Sequence, residues 1–281
     1  MGTQDGMGEA DPLSLVVIAY ITVAVMMVIL WFVQRKIKNA AIGDVGWCVG
    51  LIAAVFLYIT QAPVGIERIL LTAMLVLMYA GRLGYHIYSQ HLVGQPEDNR
   101  YRRLRKEWGD SESVNMFVYF QWKAVSVAVF SFPFLVVLWN PRVPSSVVEM
   151  LGLLIWGLAV SWEAKADRQL AYFRADPRNQ GRVLREGLWR YSRHPNYFFD
   201  WLHWCSYVVM TLGAPGWLFT WVGPIGMGWL LFRVTGIPRA EREALSTRGE
   251  EYKAYQATTS AFFPWFPRPT PDGAARSSSG A

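Results

Sequence analysis

Charge is scarce in this chain. Only 17% of its residues are Asp, Glu, Lys or Arg, against about a quarter in an average soluble domain, and that shortage argues against a soluble globular protein. Two cysteines, Cys48 and Cys205, exclude a disulfide-stapled secreted domain and any four-thiolate zinc or iron–sulfur site. Four histidines, His86, His91, His194 and His203, are too few and too scattered for a dedicated metal cage, and no metal site is expected. No GxGxxG follows a strand and no P-loop is present, so a soluble-type nucleotide fold is not on offer. The amino-terminal segment Met1–Pro12 holds Asp5, Glu9 and Asp11 but no Lys or Arg, so it lacks the basic start of a cleaved signal peptide.

What is abundant is apolar sequence: 53% of the 281 residues are hydrophobic and 15% aromatic. They gather into long runs. Leu13–Val33 carries no charge at all, and at about 1.5 Å per residue such a run crosses a hydrocarbon core of about 30 Å. Further spans are expected at Val45–Ala62, Ile69–Gln90, Val114–Trp139, Val143–Trp162, Tyr197–Gly213 and Trp217–Phe232. Numbering the connections after each span, 24 of the 27 Lys and Arg residues fall after the first, third, fifth and seventh, leaving Arg68, Lys123 and Arg142 elsewhere. Short cytoplasmic loops collect basic residues. The expectation is therefore an all-α integral membrane protein of seven transmembrane helices, amino terminus outside and carboxy terminus cytoplasmic. It forms a single domain over residues 12–266, with flexible termini at 1–11 and 267–281. The net charge of +6 follows this topology rather than one soluble face, so nucleic acid is not an expected partner.

Polar residues concentrate at the cytoplasmic ends of these spans: Asp44, Tyr85, His86, Glu163, Asp167, Asn196, Asp200 and His203. Ionisable groups at membrane depth are costly and mark cavities or partners, which points to a polar pocket open to the cytosol under apolar walls. Glu163 and Asp167 share a helix face, as do Asn196 and Asp200. Lys123, inside the fourth span, is expected to snorkel or pair. The loop from Glu163 to Pro195 carries eight basic residues. Among them Arg174, Arg182 and Arg193 suit a phosphorylated cofactor, because guanidinium grips phosphate through paired hydrogen bonds.

The stretch Gly187–Asp200, GLWRYSRHPNYFFD, resembles the carboxy-terminal motif of the membrane steroid 5-alpha-reductase superfamily, most closely its bacterial branch. Further matches are NAAIGDVGW at Asn39–Trp47, PEDNRY at Pro96–Tyr101 with Trp108-Gly109, WEAKADRQLAYF at Trp162–Phe173 and YKAYQATTSAFFP at Tyr252–Pro264. The resemblance covers about residues 12–266. That superfamily holds NADPH-dependent reductases of steroid and sterol double bonds, and also S-adenosylmethionine-dependent membrane methyltransferases such as isoprenylcysteine carboxyl methyltransferases. The methyltransferases share an Arg, a Glu and a Gly-x-x-Tyr that resemble Arg233, Glu241 and Gly249–Tyr252, whereas GDVGW and PEDNRY look like the reductase-related branch.

The resemblance implies NADPH as cofactor, with Asp167, Arg174 and Arg182 on its adenosine and phosphate half. Asn196 and Asp200 then lie near the nicotinamide, with Tyr191, Arg193 and His194 of the same motif beside them, and Arg233 and Tyr252 close the site. The sequence departs from the animal reductases at Glu163, where they have Asn, at Ile237-Pro238, which replaces a His-rich run, and in lacking a Gln-Glu pair in the second helix. The implied reaction is reduction of an activated C=C bond in a lipophilic, steroid-like enone by a monomer embedded in membrane lipid, the bacterial inner membrane being the expected place. Hydride addition builds negative charge on the carbonyl oxygen. Tyr85 is the first candidate to donate a proton to it, Asp44 the second and His86 the third. A membrane methyltransferase and a non-enzymatic lipid-binding protein remain open.

Overall fold

The computed structural model describes residues 11–142, 146–234 and 236–269. Among them every regular element is helical. The helices are α1 (Pro12–Ile37), α2 (Ile42–Gln61), α3 (Ile66–Val76), α4 (Arg82–Ile87), α5 (Asn99–Trp108), α6 (Glu112–Leu138), α7 (Val147–Ala175), α8 (Pro195–Thr211), α9 (Val222–Trp229) and α10 (Ile237–Thr258). Four helical runs are long and apolar enough to cross a bilayer: Pro12–Ile37, Ile42–Gln61, Asn99–Leu138 and Val147–Ala175. The chain is therefore an all-helical membrane protein.

The other three expected spans take a different form. The third is helical but not one regular helix, because π-turns at Leu77–Gly81 and Tyr88–Leu92 interrupt it on either side of α4. Each π-turn widens the helix by a residue, a distortion that glycines such as Gly81 tolerate. The sixth, α8, has 17 residues, which at about 1.5 Å each falls just short of the hydrocarbon thickness. The seventh is broken into a 3-10 turn at Trp217–Trp221, the eight-residue α9 and a π-turn at Leu230–Val234. The expected span at Val143–Trp162 begins on residues outside the described set. So do nearly all of the termini expected to be flexible.

The chain divides into two compact units, one running to Ser146 and including Thr211–Val222, the other made of Val147–Met210 and the chain from Gly223 onward. In the first unit α1, α2 and α6 pack against one another. Gly46 and Gly50 let α2 approach α1 closely: a Cβ added at Gly46 would lie 2.2 Å from Leu30 Cδ1, and one at Gly50 2.9 Å from Val23 Cγ1. Small residues on one face allow such contact where lipid supplies no hydrophobic drive between helices. Tyr58 and Ser131, both fully buried, share a hydrogen bond of 2.7 Å between α2 and α6.

In the second unit α10 lies outside the apolar runs and is kinked at Gly249, whose φ of 49° falls in the left-handed region. After α10 an extended strap, residues 259–269, runs back along the Gly187–Asn196 turn. Arg193 N–H donates to Ser260 O (2.8 Å), Ser192 Oγ to Phe262 O (2.8 Å) and Trp265 N–H to Tyr191 O (2.9 Å). Phe262 anchors it, buried against Leu231, Ile237, Phe198 and Trp201.

Candidate functional site

The motif loop owes its shape to α7 and α10. Gly187 adopts φ 59° with the Gln169 side chain against it, Leu188 N–H donates to Gln169 Oε1 (3.1 Å), and Trp189 Nε1 to Ala166 O (3.1 Å). Tyr255 on α10 donates to Trp189 O and, at 3.2 Å, to Ser192 O. The turn is thus held from both sides. Between it and α10 opens a cavity of about 130 Å³ lined by Arg174, Arg182, Arg193, His194, Asn196, Arg248 and Tyr252, with Leu170, Phe173, Tyr197 and Ala244 as apolar wall. It shares Phe173, Arg182, Val183 and Leu184 with a shallower depression of about 360 Å³ that extends toward Arg185, Glu186 and Glu251. Through these shared residues the two form one continuous cleft.

Six of the ten expected cofactor residues line this cavity: Arg174, Arg182, Arg193, His194, Asn196 and Tyr252. Asp167 stands directly behind it, accepting from Asn196 Nδ2 at 3.1 Å. That bond orients the amide, leaving Asn196 Oδ1 buried and without a hydrogen-bond partner among the described residues. A buried carbonyl oxygen left unpaired costs roughly 1–3 kcal/mol, so the cavity offers one unsatisfied acceptor to a ligand's N–H or O–H. Asp200 lies one turn further along α8. Tyr191 is half exposed and stacks edge-on with Phe266 instead. Arg233 is exposed in the π-turn after α9.

One residue expected to grip phosphate does something else. Arg193 gives Nε (2.7 Å) and Nη2 (2.6 Å) to Glu241, and Nη1 to Gln256 O (3.1 Å) and Thr259 O (2.6 Å). Its fork is spent bracing α10 and the strap. Glu241 also accepts from Gln256 Nε2 at 3.0 Å and faces His194 Nε2 at 3.4 Å. Burial pushes the Glu241 carboxyl up, but the bonds and charges of His194 and Arg193 outweigh it and hold the group at about 2. Burial lifts the Tyr252 phenol to about 12 and raises that of Tyr255 as well, so both stay neutral donors at pH 7.

Arg248, on α10 just before the Gly249 kink, is a cleft residue that sequence reasoning passed over. Its Nε donates to Arg182 O at 2.9 Å, fixing the guanidinium, and it is close enough to Arg174 for the two charges to repel. None of Arg174, Arg182 and Arg248 has an ion pair within 4 Å among the described residues. The only signal in the sequence was its place in the same basic carboxy-terminal segment as Tyr252.

The proton-donor candidates belong to the first unit. Asp44, from the GDVGW stretch, is bound by Arg100 and by Lys123 and accepts from Tyr101 Oη at 2.6 Å. Arg100 and Tyr101 come from PEDNRY, so these two motifs meet in one ion network. Glu97 of the same motif bonds Ala40 N–H (2.8 Å) and Arg105 (2.9 Å), and Arg105 reaches Glu112 and Gln34. A carboxylate accepting from three donors, two of them cationic, has no proton to give, which removes the reason for choosing Asp44 as a donor. Lys123 pairs, as expected. Tyr85 is 73% exposed and has no hydrogen bond among the described residues, so nothing in its own unit fixes the hydroxyl. His86, next to it, is half-buried. His203 is fully buried against Tyr207 Oη at 3.0 Å, which in turn accepts from Trp156 Nε1 at 3.2 Å.

The family model described as a protein of unknown function, DUF1295, matches residues 30–259. The chain belongs to that family. The match spans both units and takes in the ion network and the arginine-lined cleft. Comparison with curated proteins and with solved structures gave no match.

Proposed function

We propose that this chain is an integral-membrane oxidoreductase that uses NADPH to reduce an activated C=C bond in a lipophilic enone, such as a 3-oxo-4-ene steroid. The observation that carries this reading is the set of three arginines, Arg174, Arg182 and Arg248, converging on a partly apolar cleft with no ion pair within 4 Å among the described residues, Glu243 and Asp167 offsetting only part of the charge at Arg174. Like charges held together in a folded protein cost stability unless something negative joins them. A dinucleotide phosphate supplies several negative charges. The resemblance of GLWRYSRHPNYFFD to the steroid 5-alpha-reductase superfamily supports the same choice.

In this reading the arginines bind the phosphates and Asn196 Oδ1 accepts from an amide or hydroxyl of the cofactor, its orientation set by Asp167. When bound, the cofactor supplies hydride to the β-carbon of the enone. Tyr252 is a neutral phenol on the cleft and can donate to an oxygen that gains charge. The apolar wall of Phe173, Leu170 and Tyr197 excludes water. Seven membrane passes with a cytoplasmic cleft belong to this proposal too, since the cleft's arginines lie in the basic connections that positive-inside topology assigns to the cytosol.

The methyltransferase reading keeps the resemblance of Arg233, Glu241 and Gly249–Tyr252, but Glu241 is committed to Arg193 and His194, and S-adenosylmethionine has no phosphate for three arginines to hold. The test is thermal unfolding of the detergent-solubilised protein with NADPH, NADH or S-adenosylmethionine, followed by loss of nicotinamide absorbance on adding an enone steroid. A ligand at a hundred times its Kd adds about 2.7 kcal/mol of stability. NADPH is expected to stabilise most and to be consumed only with the enone. Stabilisation by S-adenosylmethionine alone overturns the reading.

A further inference from the structure

The strap after α10 exposes more aromatic surface than its packing needs. Phe262 is its buried anchor, yet Phe263, Trp265 and Phe266 are 59%, 73% and 76% exposed. Pro264 lies between Phe263 and Trp265, and Pro267 and Pro269 follow Phe266; proline limits the backbone freedom of such a segment, so the rings are presented with little entropy left to lose. Hydrogen bonds accepted by Ser260 O and Phe262 O and donated by Trp265 N–H, with a fourth from Arg268 N–H to Thr258 O (2.8 Å), fix the strap in place.

What covers these rings is indicated by their neighbours. Phe263 packs edge-on to Phe198 (5.8 Å) and Trp201 (6.0 Å) of α8, and Phe262 to Phe232 beside α9 (4.9 Å). The exposed rings therefore continue the aromatic surface of apolar helices in the same unit. Exposed Arg268 lies on the strap itself, exposed Arg190 and Arg233 adjoin in the chain the Tyr191 and Phe232 rings that the strap packs on, and no acidic residue occurs between Glu251 and Asp272. Rings beside basic side chains, with no acid among them, match the interface of a bilayer, where aromatic side chains sit at headgroup depth and Lys or Arg meet anionic lipid.

We propose that Phe263, Trp265 and Phe266 insert into the phospholipid interface, so that the bilayer itself holds the strap against the motif loop. The strap in turn supports the cleft: Ser260 and Phe262 accept from Arg193 N–H and Ser192 Oγ, and the Ser192 hydroxyl accepts from His194 N–H at 3.1 Å. Membrane contact and cleft geometry are thereby joined through a few hydrogen bonds. This inference is independent of which cofactor the cleft takes.

The experiment uses the full chain in vesicles of phosphatidylcholine, with and without phosphatidylglycerol, doped with a phospholipid photoreactive near its glycerol backbone. Labelled peptides are mapped by mass spectrometry. Labelling of the 261–268 peptide is expected at a level comparable with the α1 peptide and stronger with the anionic lipid. In a Trp265→Ser, Phe266→Ser double variant, which removes exposed surface and the one ring contact of Phe266 with Tyr191, the labelling falls by about tenfold. Amide exchange across Ser192–Asn196 in vesicles then rises by about tenfold or more, as local opening becomes easier. A strap left unlabelled while α1 is labelled overturns the proposal, and so does a labelled strap whose double variant shows unchanged exchange.

Discussion

The two units treat charge in opposite ways, buried and paired in the first, largely solvent-facing in the cleft of the second. Around Asp44 the first unit brings Arg100, Lys123 and Tyr101 onto one carboxylate, and around Arg105 it sets Glu97 and Glu112. Every side chain in these groups has a protein partner. The cleft of the second unit collects Arg174, Arg182 and Arg248 with none of them ion-paired within 4 Å among the described residues, Glu243 and Asp167 acting on Arg174 from further off. Yet a few ångströms away Arg193 and Glu241 are fully matched. Matched charges hold helices together, whereas unmatched ones of a single sign describe the ligand.

The contrast is most exposed to failure at Asp44. Asp44→Asn leaves Arg100 and Lys123 without their anion, and losing one member of a buried ion group costs about 3–5 kcal/mol. The expected result is a large fall in thermal midpoint in detergent, partly restored by adding Lys123→Met. An unchanged midpoint with lost turnover would instead place Asp44 in the chemistry.

The arginine substitutions should behave in the reverse sense. Arg174→Ala removes its repulsion with Arg248 together with smaller attractions to Glu243 and Asp167, and Arg248→Ala the same repulsion with one hydrogen bond to Arg182 O, so stability without ligand is expected to change little. NADPH affinity should fall by about 10- to 100-fold, the equivalent of about 1–3 kcal/mol for a charge-assisted contact. Calorimetric titration with NADPH and NADH reads this directly. A midpoint that drops in the absence of ligand would make these arginines structural.

Acid separates Glu241 from an ordinary surface carboxylate. Its folded value of about 2 lies below the ordinary glutamate value of 4.5. A group depressed in the folded state contributes stability above its unfolded value and loses it as pH falls through the folded one. Between about pH 4.5 and 2 the wild type should therefore lose about 1–2 kcal/mol, after allowance for solvent screening. Glu241→Gln should lack that slope and already be less stable at pH 7. Parallel pH–stability curves for the two proteins would deny the brace.

The smallest effect is expected at Tyr85. As an oxyanion donor it would cost about 100-fold in turnover on conversion to Phe, but its exposed, unbonded hydroxyl predicts a change under about twofold. Turnover of an enone by Tyr85→Phe distinguishes the two outcomes, and a large loss would return the donor role to the end of the third span.

Periodicity and charge carry much of this molecule. Apolar runs with at most one charge and long enough for a bilayer become helices whatever surrounds them, because a backbone in lipid must satisfy its own hydrogen bonds, and so α1, α2, α6 and α7 could be placed from composition alone. The motif around Arg193 also marked where the cleft would form, since Arg174, Arg182, Asn196 and Tyr252 all line it. Interruptions were harder to foresee. The π-turns of the third span and the division of the seventh have no signature beyond scattered glycine. Side-chain assignments were hardest, because a guanidinium or a carboxylate is defined by partners far along the chain. Asp44 looked like a polar residue opening a helix until Arg100 and Lys123, 56 and 79 positions away, closed on it. Arg193 looked like a phosphate ligand until Glu241, 48 positions away, took its fork. Arg248 was one of many basic residues until the Gly249 kink and its bond to Arg182 O turned it into the cleft. The kind of charge is written locally, but whether it is spent within the protein or kept for a ligand depends on long-range packing, which no short window of residues contains.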